Sequence, residues 1–100
     1  MTAPVFRPRA VRDIEEIWAY THDRWGVDQA ERYVRMVRDT CAALARGDAP
    51  GADASVVSPG YSRIRAGRHV VFFRALPNGP IEIVRILHER MDFPAHLRKR

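Results

Sequence analysis

Disulfide-forming cysteine pairs and membrane-length apolar runs are both missing from this chain of 100 residues. The one cysteine, Cys41, falls within a helical pattern, where we interpret it as a small buried hydrophobe. No apolar stretch approaches the ~20 residues that a membrane-spanning helix needs, and the N-terminal MTAPVFRPRA lacks the apolar segment of a signal peptide. We therefore expect a cytoplasmic protein that folds without disulfide bonds.

Lysine is also scarce, and acidic residues are scarce in the second half of the chain. Residues 1–50 contain eight Arg and eight Asp or Glu, whereas residues 51–100 contain eight Arg and Lys99 against four acids. The formal net charge of +5 therefore lies entirely in the second half. This asymmetry predicts an acidic or phosphate-bearing partner for that half.

Metal-binding patterns are absent from the sequence as well. His22, His69 and His96 show no metal-ligand spacing with a cysteine or a carboxylate, so we expect no metal site, and nothing indicates a cofactor. A chain of this length forms one domain, residues 1–100, and buries roughly two-thirds of its unfolded surface. Such a domain can fold without a metal ion.

The first half of the sequence predicts a short strand followed by two helices. Residues 4–7 are a candidate strand, and Pro8 suits the first turn of a helix whose apolar residues recur at three- and four-residue spacing up to Gly26. Asp13, Glu15 and Glu16 are interpreted as acids near the positive N-terminal end of this helix. A second helix is predicted to start at Asp28, which forms a capping-box pattern with Glu31, and to end at Gly47. The short connection implies an antiparallel helical hairpin.

The second half predicts a small antiparallel sheet. Residues 47–60 are predicted to form one long loop, and residues 61–91 contain three β-like runs separated by turns at Gly67 and at Asn78-Gly79. The run at 68–76 is apolar on both faces, which predicts a central strand. A single helical turn and a frayed tail are predicted after Met91. The fold class is therefore α+β, in the order β-α-α-β-β-β, with the helical hairpin packed on the sheet.

Strict alternation assigns the side chains of the last strand to two faces. Ile81, Ile83, Arg85 and Leu87 are expected on one face, opposite Val84, Ile86 and His88. The helical hairpin should cover one sheet face and leave the other face, or its rim, available to partners.

Four segments together resemble a known family. They are AVRDIEEIWAY at 10–20, RWGVDQAERYV at 24–34, IRAGRHVVFFR at 64–74 and IVRILHERMD at 83–92. In this order the chain resembles the ParE toxins of bacterial type II toxin–antitoxin modules, within the RelE/ParE superfamily. The resemblance implies a compact RelE/ParE-like fold, inhibition of DNA gyrase by protein binding, and neutralisation by a ParD-like antitoxin. It also implies that nucleic acid is involved only indirectly, through the target or the antitoxin.

A set of cationic residues is the predicted target-binding surface. The set comprises Arg63, Arg65, Arg68, Arg85, His88 and Arg90. Each of these residues could instead have a purely structural role. Arg85 could pair with Asp92 or Glu82, His88 could be a hydrogen-bonded structural histidine, and charged residues also protect sheet edges from aggregation.

The antitoxin is expected to be an acidic peptide that complements the net positive charge. Trp18, Tyr20 and Tyr33 are the candidate residues for lining its groove, although tryptophans at this spacing are also common in cores.

Two alternatives to a protein inhibitor remain. A ribosome-dependent mRNA endonuclease of RelE type would need proton carriers beside its cations, and here Lys99 is the only lysine and no tyrosine follows Tyr61. Glu89, His88 or His96 could substitute as acid or base. A nucleic-acid-binding module is the third reading, and it is disfavoured because the arginines are not interleaved with exposed aromatic residues.

Overall fold

Two helices joined at a single glycine form the first half of the fold. The computed structural model describes residues 3–97, and its helices and strands in chain order are β1 (Val5–Phe6), α1 (Pro8–Trp25), α2 (Val27–Arg46), β2 (Ala52–Asp53), β3 (Ser62–Ala66), β4 (His69–Ala75), β5 (Ile81–His88) and α3 (Phe93–Leu97). Gly26 ends α1 at φ 90°, and its N–H donates to the carbonyl of His22 at 2.9 Å. The helical hairpin predicted from the sequence is confirmed.

The sequence predicted the C-terminal end of α2 correctly but not its N-terminal end. Asp28 lies inside the first turn and not at the N-cap, which is Gly26, and no side chain caps this end. The predicted capping box of Asp28 and Glu31 is therefore wrong, although the carboxylate of Asp28 still lies near the positive end of the helix dipole. Gly47 ends α2 in the left-handed conformation at φ 79°, as predicted.

The strands form one mixed sheet of five in the order β1-β5-β4-β3-β2. The predicted central position of β4 is confirmed. Neighbouring strands from β5 to β2 pair antiparallel, whereas β1 pairs parallel with β5, with Val5 opposite Glu82. The N–H of Arg7 donates to the carbonyl of Ile83 at 3.0 Å, so the chain enters α1 directly from the sheet edge.

The segment 47–60, predicted as a loop, contributes to the sheet and to a core. Its residues Ala52 and Asp53 form β2 against Arg63 and Ser62. Ala54 follows at 2% exposure, and its N–H donates to the carbonyl of Tyr61 at 2.9 Å. The prediction of a structureless loop was wrong because a two-residue strand has no periodicity to detect.

Apolar side chains cover both faces of the sheet. The larger cluster lies under the helical hairpin and includes Ile14, Val37, Val71 and Phe73. A smaller cluster on the opposite face is closed by α3 and consists of Ala54, Val70, Phe72, Leu87 and Leu97, with Val57, Tyr61 and Phe93 at its margin. The prediction that this second face is free for partners is therefore wrong for the sheet centre, which α3 covers. Among residues 3–97, the predicted helical turn after Met91 is present, while the frayed tail and Lys99 lie outside the described residues.

A β-bulge changes which side chains of β5 share a face. The register shifts between Phe72 and Phe73, so that Phe72 lies opposite Arg85 and Phe73 lies opposite Ile83. As a result Ile83 and Ile86, predicted on opposite faces, both join the cluster under the helices. An extra residue in one strand reverses the alternation beyond it, which a strict two-residue period cannot anticipate.

Candidate functional site: a polar cluster and the α1 groove

A buried ion pair connects the first helix to the last strand. The carboxylate of Asp13 accepts two hydrogen bonds from Arg85, from Nε at 2.9 Å and from Nη2 at 3.0 Å, and a third from the backbone N–H of Ile86 at 2.8 Å. The side chains are 7% and 11% exposed respectively. Because β1 pairs only with Glu82 and Ile83 of β5, Asp13 provides the acceptor for the strand edge beyond them.

This arrangement corrects the predicted pairing of Arg85. Its partner is Asp13, and not Asp92 or Glu82. Asp13 was interpreted from the sequence as an acid favourable to the helix N-terminus, but it lies one turn before Ile17 on the apolar stripe of α1, and that position was the available signal. As a target-binding residue Arg85 stays a prediction, with two of its N–H donors directed at Asp13.

Another carboxylate, that of Glu82 in β5, binds two arginines. Glu82 lies 2.7 Å from Arg74 and 3.3 Å from Arg7. Burial acts to raise the pKa of Glu82, but the hydrogen bonds from these arginines outweigh it and lower the pKa.

Glu89 bridges two of the predicted target-binding arginines. It lies 2.5 Å from Arg65 and 3.4 Å from Arg68. The hydrogen bond from Arg65 lowers the pKa of Glu89, and the charges of the two arginines add to this effect. The cationic surface is therefore partly neutralised, which the count of arginines in the sequence did not reveal.

Tyr33 connects α2 to the turn between β3 and β4. Its hydroxyl accepts the N–H of Arg68 at 3.0 Å and lies 2.6 Å from Nδ1 of His69. The carbonyl of Ala66 lies 3.5 Å from the same hydroxyl, so Tyr33 is held by three groups of the β3–β4 turn and β4. Burial is the main cause that lowers the pKa of His69 to about 4, and neighbouring His88 adds to the effect. Burial also raises the pKa of Tyr33.

The second histidine of this cluster closes β5. The ring of His88 meets the ring of His69 edge to face, with centroids 5.3 Å apart. Its Nδ1 accepts the backbone N–H of Arg90 at 3.2 Å. The interpretation of His88 as a hydrogen-bonded residue agrees with this contact.

Two adjoining hollows run along α1 beside this cluster, and we call them together the α1 groove. The first, the Met91 hollow, has a volume of about 570 Å³ and lies between the first turns of α1 and the end of β5. The second, the Trp25 hollow, has a volume of about 590 Å³ and lies between the end of α1 and the β3–β4 turn. Both are lined by Tyr20, His69, His88 and Arg90.

The predicted target-binding residues divide between separate surfaces. Arg68, His88 and Arg90 line the Trp25 hollow, and Arg85 lines the floor of the Met91 hollow. Arg63 and Arg65 instead line a pocket of about 430 Å³ next to β2.

The predicted antitoxin-binding residues also divide. Tyr20 and Tyr33 line the Trp25 hollow, while Trp18 lines a different groove of about 340 Å³ between α1 and α2. Trp18 also stacks on His22, with ring centroids 4.9 Å apart. Sequence reasoning missed Trp25 and Met91 as groove residues, although they are 63% and 44% exposed.

No group of three or more His, Cys, Asp or Glu within residues 3–97 is arranged to hold a metal ion. In the same part of the chain, no helix is both long enough and apolar enough to cross a membrane.

The fold and this surface can be compared with those of known proteins. Residues 5–93 match the family described as the ParE toxin of type II toxin-antitoxin systems. A chromosomal ParDE toxin–antitoxin structure from P. aeruginosa superposes with a TM-score of 0.76 at 18% identity, covering 88% of this chain and 96% of that one. This likeness confirms the α+β fold.

Curated relatives extend the match over most of the chain. Toxin ParE1 of Mycobacterium tuberculosis is 42% identical over 90 residues, which are 90% of this chain and 92% of that protein. Toxin ParE1 of Caulobacter vibrioides is 39% identical, covering 89% of this chain and 91% of that protein. Toxin ParE of Escherichia coli is 36% identical, covering 100% and 97%. The chain therefore belongs to the ParE toxin family, as its resemblance implied.

Proposed function

We propose that this protein acts as a toxin that inhibits DNA gyrase by binding to it, and that a ParD-like antitoxin neutralises it. Membership of the ParE toxin family supports the proposal. The toxin works as a protein-binding surface and not as an enzyme, and it has a cytoplasmic site of action. The single observation that carries the non-enzymatic reading is the condition of the acid and base candidates.

Two of the candidates named from the sequence, Glu89 and His88, and the nearby His69 are each engaged by neighbouring groups. Glu89 is bound by two arginines that lower its pKa, which makes it a poor base. His69 has a pKa of about 4 and its Nδ1 is occupied by Tyr33, so its ring is almost entirely uncharged at neutral pH. The Nδ1 atom of His88 accepts the backbone N–H of Arg90 at 3.2 Å, so one of its two ring nitrogens is already occupied.

The predicted target-binding residues supply two regions, one next to β2 with Arg63 and Arg65, and the α1 groove with Arg68, Arg85, His88 and Arg90. Arg63 is exposed and has no ion pair within residues 3–97, so its charge is available to a partner. Acidic patches on the partner would be attracted to these arginines.

Gyrase supercoiling and mRNA cleavage on programmed ribosomes, measured in parallel with the purified chain, test this function. We expect loss of supercoiling and intact mRNA. Arg63→Glu should weaken gyrase inhibition, whereas Arg38→Glu makes the same charge change on the outer face of α2 and should leave it unchanged. Cleavage of mRNA without gyrase inhibition would establish the RelE-type nuclease instead.

The antitoxin should be an acidic peptide that covers exposed aromatic residues of the helical hairpin. Tyr20 is 57% exposed, and Trp18 lines the outer groove between the helices. Titration calorimetry with a ParD-like antitoxin should show weaker binding for Trp18→Ala and Tyr20→Ala than for Val56→Ala, which removes a side chain that is 99% exposed in the segment after β2. Equal affinity of all three variants would remove the helical hairpin from the antitoxin interface. Tyr33 is predicted to contribute too, but its hydrogen bonds make its substitution a poor test.

A further inference from the structure

The Trp25 hollow combines arginines and exposed aromatic rings without a carboxylate among its described lining residues. The sequence disfavoured a nucleic-acid site because the arginines of the β-like runs have no exposed aromatic residues between them. The fold supplies such residues from a distant segment. Tyr20 and Trp25 of α1 lie across the hollow from Arg68 in the β3–β4 turn and from Arg90 beyond β5.

The two aromatic rings are available at the surface. Trp25 is 63% exposed and Tyr20 is 57% exposed, and neither belongs to the apolar clusters of the sheet. The guanidinium of Arg24 lies over the ring of Tyr20, 4.9 Å from its centroid, and brings a further cation to the rim. Both rings line the same hollow, and adjoining exposed apolar surface rimmed by polar groups is typical of a binding site.

The two arginines of the hollow can take up negative charge. The side chain of Arg68 is 72% exposed, and its only ionic contact within residues 3–97 is the 3.4 Å approach to Glu89, which Arg65 holds more closely. Arg90 is exposed and forms no ion pair with any residue between 3 and 97. An anion entering the hollow therefore meets two guanidinium groups with free donors.

We propose that the Trp25 hollow binds single-stranded nucleic acid, with a base stacked on Trp25 or Tyr20 and phosphates on Arg68 and Arg90. Bases of every type offer a flat ring to such a platform, and arginines beside it track the phosphodiester backbone. The volume of about 590 Å³ falls within the ~300–1,000 Å³ of small-ligand sites. An acidic peptide would match the charges as well, but a base also stacks its flat face on an exposed aromatic ring, which a carboxylate side chain does not do.

Fluorescence anisotropy of the full chain with a labelled oligothymidylate of about ten nucleotides tests the stacking, a length within the range that one stacking platform covers. Trp25→Ala should weaken binding roughly fivefold to a hundredfold, the range of one lost base stack. Trp18→Ala removes the other tryptophan, which lies on a different surface, and should leave the affinity unchanged. Thermal melting of each variant verifies that the fold is retained.

The salt dependence of the same binding tests the arginines. The double variant Arg68→Ala/Arg90→Ala should lower the slope of log affinity against log salt by about 1.4, which is about 0.7 for each lost phosphate contact of a single strand. The double variant Arg35→Ala/Arg38→Ala removes the same charge from the outer face of α2 and should leave the slope near that of the unaltered chain.

Four outcomes would overturn the proposal. The first is equal loss of oligonucleotide affinity in the Trp18 and Trp25 variants. The second is equal loss of slope in the two arginine pairs. The third is Trp25-dependent binding of a decaglutamate peptide with no binding of the oligonucleotide, which would assign the hollow to an acidic protein segment. A duplex of the same sequence should bind more weakly than the single strand, because its bases are already stacked, and equal binding of the two would also count against the proposal.

Gyrase inhibition by a Trp25→Ala variant is a separate measurement, so the failure of this site and of the proposed function are distinguishable.

Discussion

Asp13 and Arg85 form a bidentate ion pair inside the protein, and Asp13 also accepts the backbone N–H of Ile86. One carboxylate therefore joins α1 to the edge of β5 at the place where β1 ends. His88 and Arg90 follow Arg85 closely along the chain, so the position of this ion pair sets the position of one wall of the α1 groove.

Removal of Asp13 should destabilise the protein strongly. Asp13→Ala leaves the guanidinium of Arg85 buried without a counter-charge, which typically costs about 3–5 kcal/mol of unfolding free energy. Urea unfolding followed by circular dichroism measures the change. Glu16→Ala removes an exposed carboxylate from the same helix and should change stability by no more than about 0.5 kcal/mol. The apolar pair Asp13→Leu/Arg85→Met should recover much of the loss, and a double variant no more stable than Asp13→Ala would contradict this account.

Stability should fall as the pH falls from about 6.5 to about 4. The pKa of His69 is about 4 in the folded protein, against the usual 6.5, so within this window the unfolded chain binds more protons. The stabilisation is complete above pH 6.5 and is lost as the pH approaches 4. After allowance for solvent screening of a partly exposed ring, it amounts to about 1–3 kcal/mol.

The groups facing His69 define the control for this pH effect. They are Tyr33 from α2, Asp13 from α1, and His88 and Glu89 from the end of β5, with Arg68 beside them. His69→Gln should flatten the dependence of unfolding free energy on pH between 4 and 6.5, whereas His22→Gln on the exposed face of α1 should preserve it. An unchanged slope in the His69 variant would assign the effect to another group.

The β3–β4 turn should tolerate no side chain at Gly67. This residue has φ 63°, and a Cβ there would lie 2.7 Å from the hydroxyl of Tyr33 and 2.9 Å from Cε of Met36. Gly67→Ala should therefore cost about 2–3 kcal/mol, from the left-handed backbone and from displacement of Tyr33. Gly47→Ala has a similar backbone conformation at φ 79° with open space around it, and should cost only about 1 kcal/mol. Thermal melting compares the two, and equal losses would show that the contact with Tyr33 is unimportant.

The thiol of Cys41 should be inert in the folded protein. It is fully buried under the helical hairpin, and burial raises its pKa to about 12. A chromogenic disulfide reagent at pH 8 should react with it only after unfolding, because the thiolate is the reactive form. An engineered Val56→Cys in a Cys41→Ala background places a thiol at a position that is 99% exposed and should react at once. Fast reaction of Cys41 in the native chain would mean that the hairpin opens readily.

The parts of the fold with strong periodicity were predictable from the sequence. The helices followed from apolar spacing and from Gly26 and Gly47, and the central strand followed from a run that is apolar on both faces. Elements without such a signal were missed. β2 is two residues long, and the bulge opposite Phe72 and Phe73 reverses an alternation that looks regular in the sequence.

The candidate site was less predictable than the fold because its residues come from four separate elements. Glu89 was counted as one acid among many arginines, and only the structure places it between Arg65 and Arg68. Asp13 was read as a helix-end acid, because nothing local reveals that its partner lies in the last strand. Trp25 looks like one more apolar residue of α1 until the β3–β4 turn is placed beside it.

The parallel pairing of β1 with β5 bears on the order in which the chain can assemble during its synthesis. The pairing of Val5 with Glu82 can form only after nearly the whole chain has been synthesised, and the same holds for the ion pair of Asp13 and Arg85. A nascent chain can build its helical hairpin early, but both walls of the α1 groove come together only when β5 has left the ribosome. A partner that needs both walls can therefore bind the finished chain but not a nascent one.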